Sequence, residues 1–325
     1  MSQLARICGI DVSAETIDIS FQNLAGKFEH YKLSNKAAGF EILFQKTGAD
    51  FHFVFEATGV YHLNLMFFLH EKSLPYSVVN PVQIKRYIQM HLERNKTDRK
   101  DAKRICEYGI ERRPEVSKMP DAQYFECRAI NNAIQTITNE ITSFSNQIHS
   151  LSYLPVGNES AIQCYENIIT KMKEEQKKLD KELAAKLKEW QPELVELVSS
   201  VVGIGKRAST EIIIHTNGFE NIENYRELIS FFGLAPIENS SGSSIKGRTK
   251  ICKQGGGKIR SILYMCAMNA MVNNPVCKDL YDRLVGKGKH KKVALMAVCN
   301  KLLKQIFAVV QSKVPFDKNY TKKVA

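Results

Sequence analysis

Residues 6–34 read RICGIDVSAETIDISFQNLAGKFEHYKLS and set the topology of the N-terminal part of the chain. Two short runs rich in β-branched and apolar residues, Arg6–Ser13 and Thr16–Asn23, are separated by a polar turn. Lys27–Ser34 has the composition of a third strand after a second turn. The stretch therefore predicts a three-stranded meander.

The residues that follow alternate between helix and strand patterns. Helices are predicted over Ala37–Lys46 and Tyr61–Lys72. Phe51–Glu56 is a nearly continuous apolar run, as expected for a central strand covered on both faces, and Tyr76–Asn80 makes a fifth strand before Pro81 opens a helix. A meander followed by strand–helix–strand predicts an α/β domain with a mixed sheet, which is compatible with an RNase H-like fold.

The composition indicates a globular protein with an anionic partner. The chain has 325 residues, enough for two domains, or for two domains and a connecting element. Charged residues make up 25% and apolar residues 44%, which are ordinary values for a soluble protein. Lysine and arginine total 46 against 34 aspartates and glutamates, and this net charge of +12 favours nucleic acid as the partner.

The spacing of cysteine and histidine argues against structural zinc. The eight cysteines form no C-x-x-C pair and the eight histidines form no H-x-x-x-H pair, so we expect free, mostly buried thiols in a reducing cytosol. The sequence has no N-terminal apolar run of signal length and no apolar stretch long enough to span a membrane. We therefore expect a cytoplasmic, nucleoid-associated protein without a membrane partner.

Two heptad patterns occupy the middle of the chain, and the segment Leu154–Gly157 separates them. They predict two antiparallel helices, or a hairpin arm that pairs with another subunit; packing of both helices on the globular body is the alternative. The polar Gln176 inside the second seam is expected to set the register or the oligomeric state. The first seam comprises Cys127, Ile130, Ile134, Ile137, Ile141, Phe144, Ile148 and Leu151, and the second comprises Ile162, Tyr165, Ile169, Met172, Gln176, Leu179 and Leu183.

These patterns divide the chain into three predicted domains. Residues 1–120 are the α/β domain, residues 121–192 are a helical coiled-coil arm, and residues 193–325 are a mainly α-helical C-terminal domain.

The C-terminal domain opens with LVSSVVGIGKRASTEIII at residues 197–214, a helix-hairpin-helix pattern. Gly203 and Gly205 allow a tight turn, and the N-terminal N–H groups of the next helix can then hold a backbone phosphate. Lys206 and Arg207 directly after the glycines favour a phosphate contact. An ordinary helical turn is the alternative.

Four carboxylates stand at positions where they could share divalent cations. Asp11 ends the first strand and Glu56 ends the apolar strand, and these two strands are neighbours in an RNase H-like sheet. Asp98 and Asp101 share one face at the start of a predicted helix, with Thr97 as its N-cap. Converging carboxylates repel one another unless cations lie between them, and two hard cations can drive phosphodiester cleavage. Turn roles and ion pairs with neighbouring basic residues are the alternative.

Two segments are dense in basic residues, as expected for contacts with phosphates. Residues 85–104 hold eight basic residues against three acids, and residues 243–260 hold six basic residues and no acid. Another basic run lies at residues 287–292; a solvated loop is its alternative. The predicted nucleic-acid-binding residues are Lys85, Arg86, Arg99, Lys100, Gly203, Gly205, Lys206, Arg207, Lys246, Arg248, Lys250, Lys253, Lys258 and Arg260.

Several ordered motifs together resemble a known family. They are GIDVS, FEATGVYH, the VNP segment and NKTDRKDA in the N-terminal part, and VVGIGKRAS and ISFFGLAPIENSSG in the C-terminal part. The chain resembles the DEDD transposases of bacterial insertion-sequence family one-ten, which include the Piv-type DNA invertases. The resemblance covers nearly the whole chain outside the predicted arm.

The resemblance implies a RuvC-like N-terminal domain whose acidic tetrad matches Asp11, Glu56, Asp98 and Asp101. It implies two Mg²⁺ ions per site, with Mn²⁺ as a substitute, and a nucleophilic serine that falls on Ser241 and forms a phosphoserine DNA intermediate. It also implies donor and target DNA, a structured guide RNA from the element, and a homo-oligomer, either a dimer or a tetramer.

Three other hypotheses stay open. A RuvC-like nuclease would hydrolyse branched DNA with a metal-activated water and no covalent intermediate. A sugar kinase is suggested by GIDVSAETIDIS, although no second Gly-rich phosphate loop follows in a suitable context. A purely structural nucleic-acid binder would leave the four carboxylates without a role.

Overall fold

The computed structural model describes residues 6–91, 97–237, 240–241, 245–246, 250–252 and 255–318. The chain divides into two compact units, Met1–Met119 and Pro120–Ala325. The first unit contains the α/β domain. The second contains both the helices of the predicted arm and those of the predicted C-terminal domain.

A five-stranded mixed sheet organises the first unit, as the sequence predicts. The spatial order is β3-β2-β1-β4-β5; β1, β2 and β3 pair antiparallel, whereas β4 lies parallel to both β1 and β5. The strands that end near Asp11 and Glu56 are therefore neighbours, which confirms that part of the prediction. The strands are β1 (Arg6–Val12), β2 (Thr16–Gln22), β3 (Phe28–Ser34), β4 (Phe51–Glu56) and β5 (Tyr76–Val79).

Four helices complete the described part of the unit, and two of them begin at side-chain caps. Asn80 Oδ1 accepts a hydrogen bond from the Val82 N–H at 2.9 Å, and Pro81 occupies the first helical position. Thr97 Oγ1 accepts from the Lys100 N–H at 3.3 Å, so the predicted N-cap is confirmed. The helices are α1 (Ala37–Thr47), α2 (Leu63–Glu71), α3 (Pro81–Met90) and α4 (Asp98–Arg112).

Helix α4 lies directly against strand β1 because Gly9 has no side chain. A Cβ atom at Gly9 would stand 2.1 Å from the Cys106 backbone nitrogen and 2.6 Å from the Ala102 carbonyl oxygen. One turn further along, Gly109 packs against Ile7 in the same way. Helix α4 therefore runs in the direction opposite to β1. Its first turn lies toward the carboxyl end of that strand.

Two long helices form an antiparallel hairpin at the start of the second unit. They are α5 (Ala122–Leu151) and α6 (Glu159–Trp190). Lys186 Nζ lies 2.6 Å from Glu126 Oε2. Gln176 Nε2 donates to Thr138 Oγ1 at 2.7 Å, so the polar residue predicted inside the seam bonds across it. The prediction of two antiparallel helices is confirmed.

The rest of the second unit is mainly helical, with two short antiparallel ladders between its helices. β6 (Pro236–Ile237) pairs with β9 (Lys250–Ile251), and β7 (Ser240–Ser241) pairs with β8 (Ile245–Lys246). The helices are α7 (Pro192–Ser200), α8 (Lys206–His215), α9 (Tyr225–Phe231), α10 (Gly257–Asn273), α11 (Pro275–Gly286) and α12 (Lys291–Ser312).

Helix α12 runs through the apolar core of this unit. Ala294, Val298, Leu302 and Ile306 are fully buried along one face. Among the described helices, α12 has the length and composition to cross a membrane, but half of the qualifying stretch is buried inside the unit. That burial is typical of the central helix of a packed core.

The cysteines are free thiols, as predicted, and six of the eight are buried. Burial raises the pKa of Cys106 to about 12, and burial together with the nearby Cys266 does the same for Cys299. These thiols therefore stay neutral and serve as small apolar core residues.

Candidate active site and nucleic-acid interface

Asp11 and Glu56 occupy neighbouring positions at the carboxyl ends of two parallel strands. Ile10 is the register partner of Phe55, and each acid is the next residue along its strand. Because side chains alternate between the faces of a strand, Asp11 lies on the same face as Gly9, which is the face covered by α4.

Asp98 and Asp101 lie in the first turn of α4, as the sequence predicts. Asp101 is only 7% exposed, whereas the Asp98 side chain is largely in solvent. Since α4 lies over β1 with its first turn toward the end of that strand, all four acids belong to one end of one face of the sheet.

The side chains of these acids do not form a ready metal cluster. Among the described residues, no three His, Cys, Asp or Glu side chains are close enough to hold an ion together. Thr58 Oγ1 donates to Glu56 Oε1 at 3.4 Å, and Lys32 Nζ lies 3.9 Å from Asp98 Oδ2. The donor set nevertheless fits a hard divalent cation, because it consists of carboxylates alone at one end of one face of the sheet.

A fifth carboxylate, Asp18, escaped the sequence analysis. It is the cross-strand partner of Asp11 and is 5% exposed. His30 Nε2 lies 2.7 Å from Asp18 Oδ1, and Lys32 Nζ lies 3.8 Å from Asp18 Oδ2. Its side chain thus has a hydrogen-bond partner in His30 and a more distant cation in Lys32. The alternation of TIDISF places Asp18 on one strand face, but only the hairpin register puts it opposite Asp11.

The basic residues predicted in the first unit lie on the surface. Lys85 and Arg86 are exposed on α3, and Arg99 and Lys100 are exposed in the first turn of α4 beside Asp98. Cations therefore flank the acidic positions on the same helix.

Helices α7 and α8 are joined by a short turn at residues 201–205, where the sequence predicts a helix-hairpin-helix. Gly203 has φ +106°, and a Cβ there would stand 2.6 Å from the Ala270 Cβ on α10, so this glycine is required by conformation and by packing. Gly205 is the N-cap of α8, with open space where a Cβ would be, and Lys206 after it is exposed.

Arg207 and Lys258 are both bound to Glu211, a buried residue that the sequence analysis missed. The Glu211 side chain is 1% exposed and lies 2.7 Å from Arg207 Nη2 and 2.8 Å from Lys258 Nζ, both through Oε1. Asn131 Nδ2 donates to its other oxygen at 3.0 Å, and His215 Nδ1 lies 3.4 Å from the same oxygen. The cluster ties α5, α8 and α10 together, and the spacing of four from Arg207 to Glu211 and again from Glu211 to His215 was its local signal.

Burial of Glu211 would raise its pKa, but the hydrogen bonds from Lys258 and Asn131 and the positive charge of Arg207 outweigh burial. The pKa of this carboxyl is therefore held below its ordinary value. Glu211 is ionised in the folded protein at neutral pH.

The segment that carries the predicted serine is described in part. The backbone of Ser241 pairs with that of Ile245, and Lys250 is exposed on β9. Arg260 Nη1 donates to the Gly255 carbonyl at 2.8 Å, so this arginine holds the backbone where α10 begins. The predictions for Arg248 and Lys253, and the side chains of Ser241 and Lys246, lie outside the described residues.

Comparison with known proteins identifies transposase sequences in both units. Residues 8–152 match the DEDD family of IS110 elements, described as "Transposase", and residues 195–282 match the family described as "Transposase IS116/IS110/IS902 family". The pilin gene-inverting proteins of Moraxella bovis and Moraxella lacunata are each 26% identical over 95% of this chain and 97% of their own length. The insertion element IS110 uncharacterized 43.6 kDa protein of Streptomyces coelicolor is 26% identical over 44% of this chain and 35% of its own length.

The α/β unit with its acidic sheet edge and the two sequence matches together define a transposase or recombinase that acts on DNA. Within that class, the chain belongs to the IS110 family.

The Glu211 cluster predicts a specific effect on stability. We expect Glu211→Gln to lower the free energy of unfolding by about 2–4 kcal/mol at pH 7, because the variant loses a buried charge that two cations and an amide satisfy. The folded pKa is depressed, so this contribution is complete above the unfolded pKa of about 4.3 and is lost as the pH falls below it toward the folded pKa. Denaturant unfolding at several pH values measures it.

The matched control is Glu182→Gln, which removes an exposed carboxylate from α6. The control should match the wild type within about 0.5 kcal/mol at all pH values. An equal effect of both changes would show that the Glu211 cluster contributes no more to the free energy of unfolding than an exposed carboxylate does.

Proposed function

We propose that this protein is the recombinase of an insertion sequence, which cuts donor and target DNA and rejoins them through a covalent serine intermediate. The observation that carries the proposal is the arrangement of Asp11 and Glu56 on adjacent strand ends under the first turn of α4. The names of the two Moraxella relatives describe gene inversion, a reaction in which DNA is cut and rejoined.

Asp11, Glu56, Asp98 and Asp101 would hold Mg²⁺, as two ions per site, with Mn²⁺ as a substitute. Bound there, the metal would supply positive charge to the scissile phosphate and to the attacking and leaving oxygens. The residues of the chain supply the setting: Gly9 keeps α4 close to β1, and Thr97 caps the turn that carries two of the acids. Asp18, opposite Asp11, has His30 and Lys32 as its own partners and is not assigned to the metal.

Ser241 would be the nucleophile. Its Oγ would attack the scissile phosphorus, lose its proton to a base, and displace a deoxyribose oxygen that leaves as a hydroxyl. The phosphodiester energy is retained in the phosphoserine bond, so attack by a hydroxyl of the other DNA duplex restores Ser241 without nucleotide hydrolysis. The position of this serine directly before Gly242 supports the assignment through the family resemblance.

Donor DNA, target DNA and a structured guide RNA would be the partners. The net charge of +12 and the exposed cations on α3 and α4 support broad backbone contacts. Specificity would come from base pairing with the RNA, an arrangement in which the protein reads backbone shape more than sequence. Such a protein would work in the cytoplasm at the nucleoid.

The hairpin of α5 and α6 would join subunits into a dimer or a tetramer. Ile141, Phe144 and Ile148 lie on the predicted seam and stay partly exposed in the isolated hairpin. A second hairpin would cover them, and recombination requires two DNA duplexes to be held together.

The acidic residues give the first test of function. We expect Asp11→Asn, Glu56→Gln, Asp98→Asn and Asp101→Asn each to abolish strand cleavage, because each removes a carboxylate ligand, while DNA affinity stays within about threefold. Cleavage of labelled donor DNA in Mg²⁺ and binding in EDTA measure the two effects.

Asp50→Asn is the control, since Asp50 is exposed just before β4, at the opposite end of the strand from Glu56. It should leave both cleavage and binding unchanged. Undiminished cleavage in EDTA would contradict the metal assignment.

The serine assignment has its own test. We expect Ser241→Ala to eliminate any covalent protein–DNA adduct on denaturing gels, because no other hydroxyl would replace its Oγ, while Ser240→Ala, Ser243→Ala and Ser244→Ala retain the adduct. Joining of donor to target DNA by the Ser241→Ala protein would favour a hydrolytic nuclease that uses activated water.

The subunit interface is tested by sedimentation velocity. Ile141→Asp combined with Ile148→Asp should convert the oligomer to a monomer, because charges would enter an apolar seam. These two positions avoid Ile134, which is 1% exposed and belongs to the core of the unit. Ser143→Asp with Gln147→Asp, on the exposed face of α5, should sediment as the wild type does. A wild-type chain that is monomeric even with DNA bound would refute the interface.

A further inference from the structure

An open groove of about 460 Å³ runs between α11 and α12. Each helix contributes four residues at relative positions i, i+3, i+4 and i+7, which share one helical face. The apolar lining comes from Val276, Leu280 and Ala297. None of these residues belongs to the acidic site or to the helix-hairpin-helix.

Three cations line the same groove, Arg283 from α11 and Lys301 and Lys304 from α12. Asp279 is the one acid in the lining. Among the described residues, none of the three cations forms an ion pair with a carboxylate, although Lys304 Nζ lies over the Tyr225 ring at 4.5 Å from its centroid. Their charges are therefore available to a ligand.

Arg207 and Lys258 differ from the groove cations in having an internal counter-charge. Those two cations belong to sequence motifs that favour phosphate binding, yet both are bound to the buried carboxylate of Glu211. The groove cations lie outside those motifs and have no such internal counter-charge. Cations that face one groove repel one another, and an anion bound among them would relieve that repulsion.

The positive charge continues beyond the groove toward the connection between the two helices. Lys287 follows Arg283 by four residues and so lies on the same side of α11, and Lys289 is next in the connection. Lys291 and Lys292 open α12, and all four of these lysines are exposed. A linear track of cations beside an apolar floor fits a polyanion that also has apolar faces, and a small free anion would use only part of it.

We propose that the groove between α11 and α12 binds the phosphodiester backbone of a nucleic-acid strand. Arg283, Lys301 and Lys304 contact successive phosphates, and Val276 and Leu280 face the sugars. The proposal rests on the proposed function only in taking nucleic acid as the partner. Strands of RNA and DNA share this chemistry, so the experiment separates them.

The test is the salt dependence of binding by the full chain, measured in EDTA by fluorescence anisotropy. The probes are single-stranded RNA, single-stranded DNA and duplex DNA of one sequence. Replacing all three groove cations with glutamine should reduce the slope of log Kd against log salt by about 2 to 3, because each phosphate contact contributes about 0.7 to 0.9. At about 0.1 M salt the affinity should fall roughly tenfold to a hundredfold.

Two controls accompany the groove variant. Lys171→Gln, Lys177→Gln and Lys181→Gln together remove the same charge from exposed positions on α6 and should leave the slope nearly unchanged. Arg283→Lys with Lys301→Arg and Lys304→Arg keeps the charge and should retain wild-type binding. The probe whose slope changes identifies the strand that the groove holds.

An unchanged slope for all three probes in a folded groove variant would overturn the proposal, as would an equal loss in the α6 control. Folding is checked by circular dichroism. Because binding is measured without divalent metal, these results do not depend on cleavage or on Ser241. A failure of the recombinase proposal would appear in the strand-cleavage and adduct assays instead.

Discussion

The close approach of helix α4 to strand β1 at Gly9 governs the geometry of the first unit. Backbone atoms of Ala102 and Cys106 occupy the space that any side chain at this position would need. The Cys106 thiol adds a hydrogen bond to the Ile7 carbonyl at 3.4 Å. This close contact fixes the distance between α4 and the sheet. The first turn of the helix therefore lies beside the carboxyl ends of β1 and β4. The placement of Asp98 and Asp101 near Asp11 thus depends on the absence of a side chain two residues before Asp11.

Charge is handled differently in the two units. In the first, the buried Asp18 is bonded to His30 and lies near the partly exposed Lys32, and four further acids lie at one end of the sheet. In the second, Glu211 is compensated entirely by the chain itself. Removing a buried charge from water is costly, so a cluster whose charge the chain itself satisfies serves the structure. The same distinction separates Arg207 and Lys258 from the cations between α11 and α12.

Much of the architecture could be predicted from the sequence because its signals are local. Alternating apolar residues gave the meander, the FHFVFE run gave β4, and Thr97 and Pro81 marked the starts of two helices. The seam residues gave an antiparallel pair of helices, including the inward position of Gln176. The positions of the four predicted acids followed from strand ends and helical spacing.

The relations that local patterns could not supply are long-range ones. The register of a hairpin places Asp18 opposite Asp11. Glu211 is bound by Asn131 and Lys258, which are 80 and 47 residues away in sequence. Basic residues also look alike in sequence whether their counter-charge is a phosphate or an internal carboxylate. That choice depends on which helices meet, and it is made only when the whole unit packs.

The hairpin of α5 and α6 is anchored near its base through the bond between Asn131 and Glu211. From Asn131 to the end of α5 at Leu151 the helix extends about 30 Å, at about 1.5 Å per residue. A tilt of about 5° at the anchor would displace the far end by about 2.6 Å over that length. The position of the far end is therefore very sensitive to the angle at the base: a tilt of this size corresponds to more than half of the spacing between β-strands, which is about 4.8 Å.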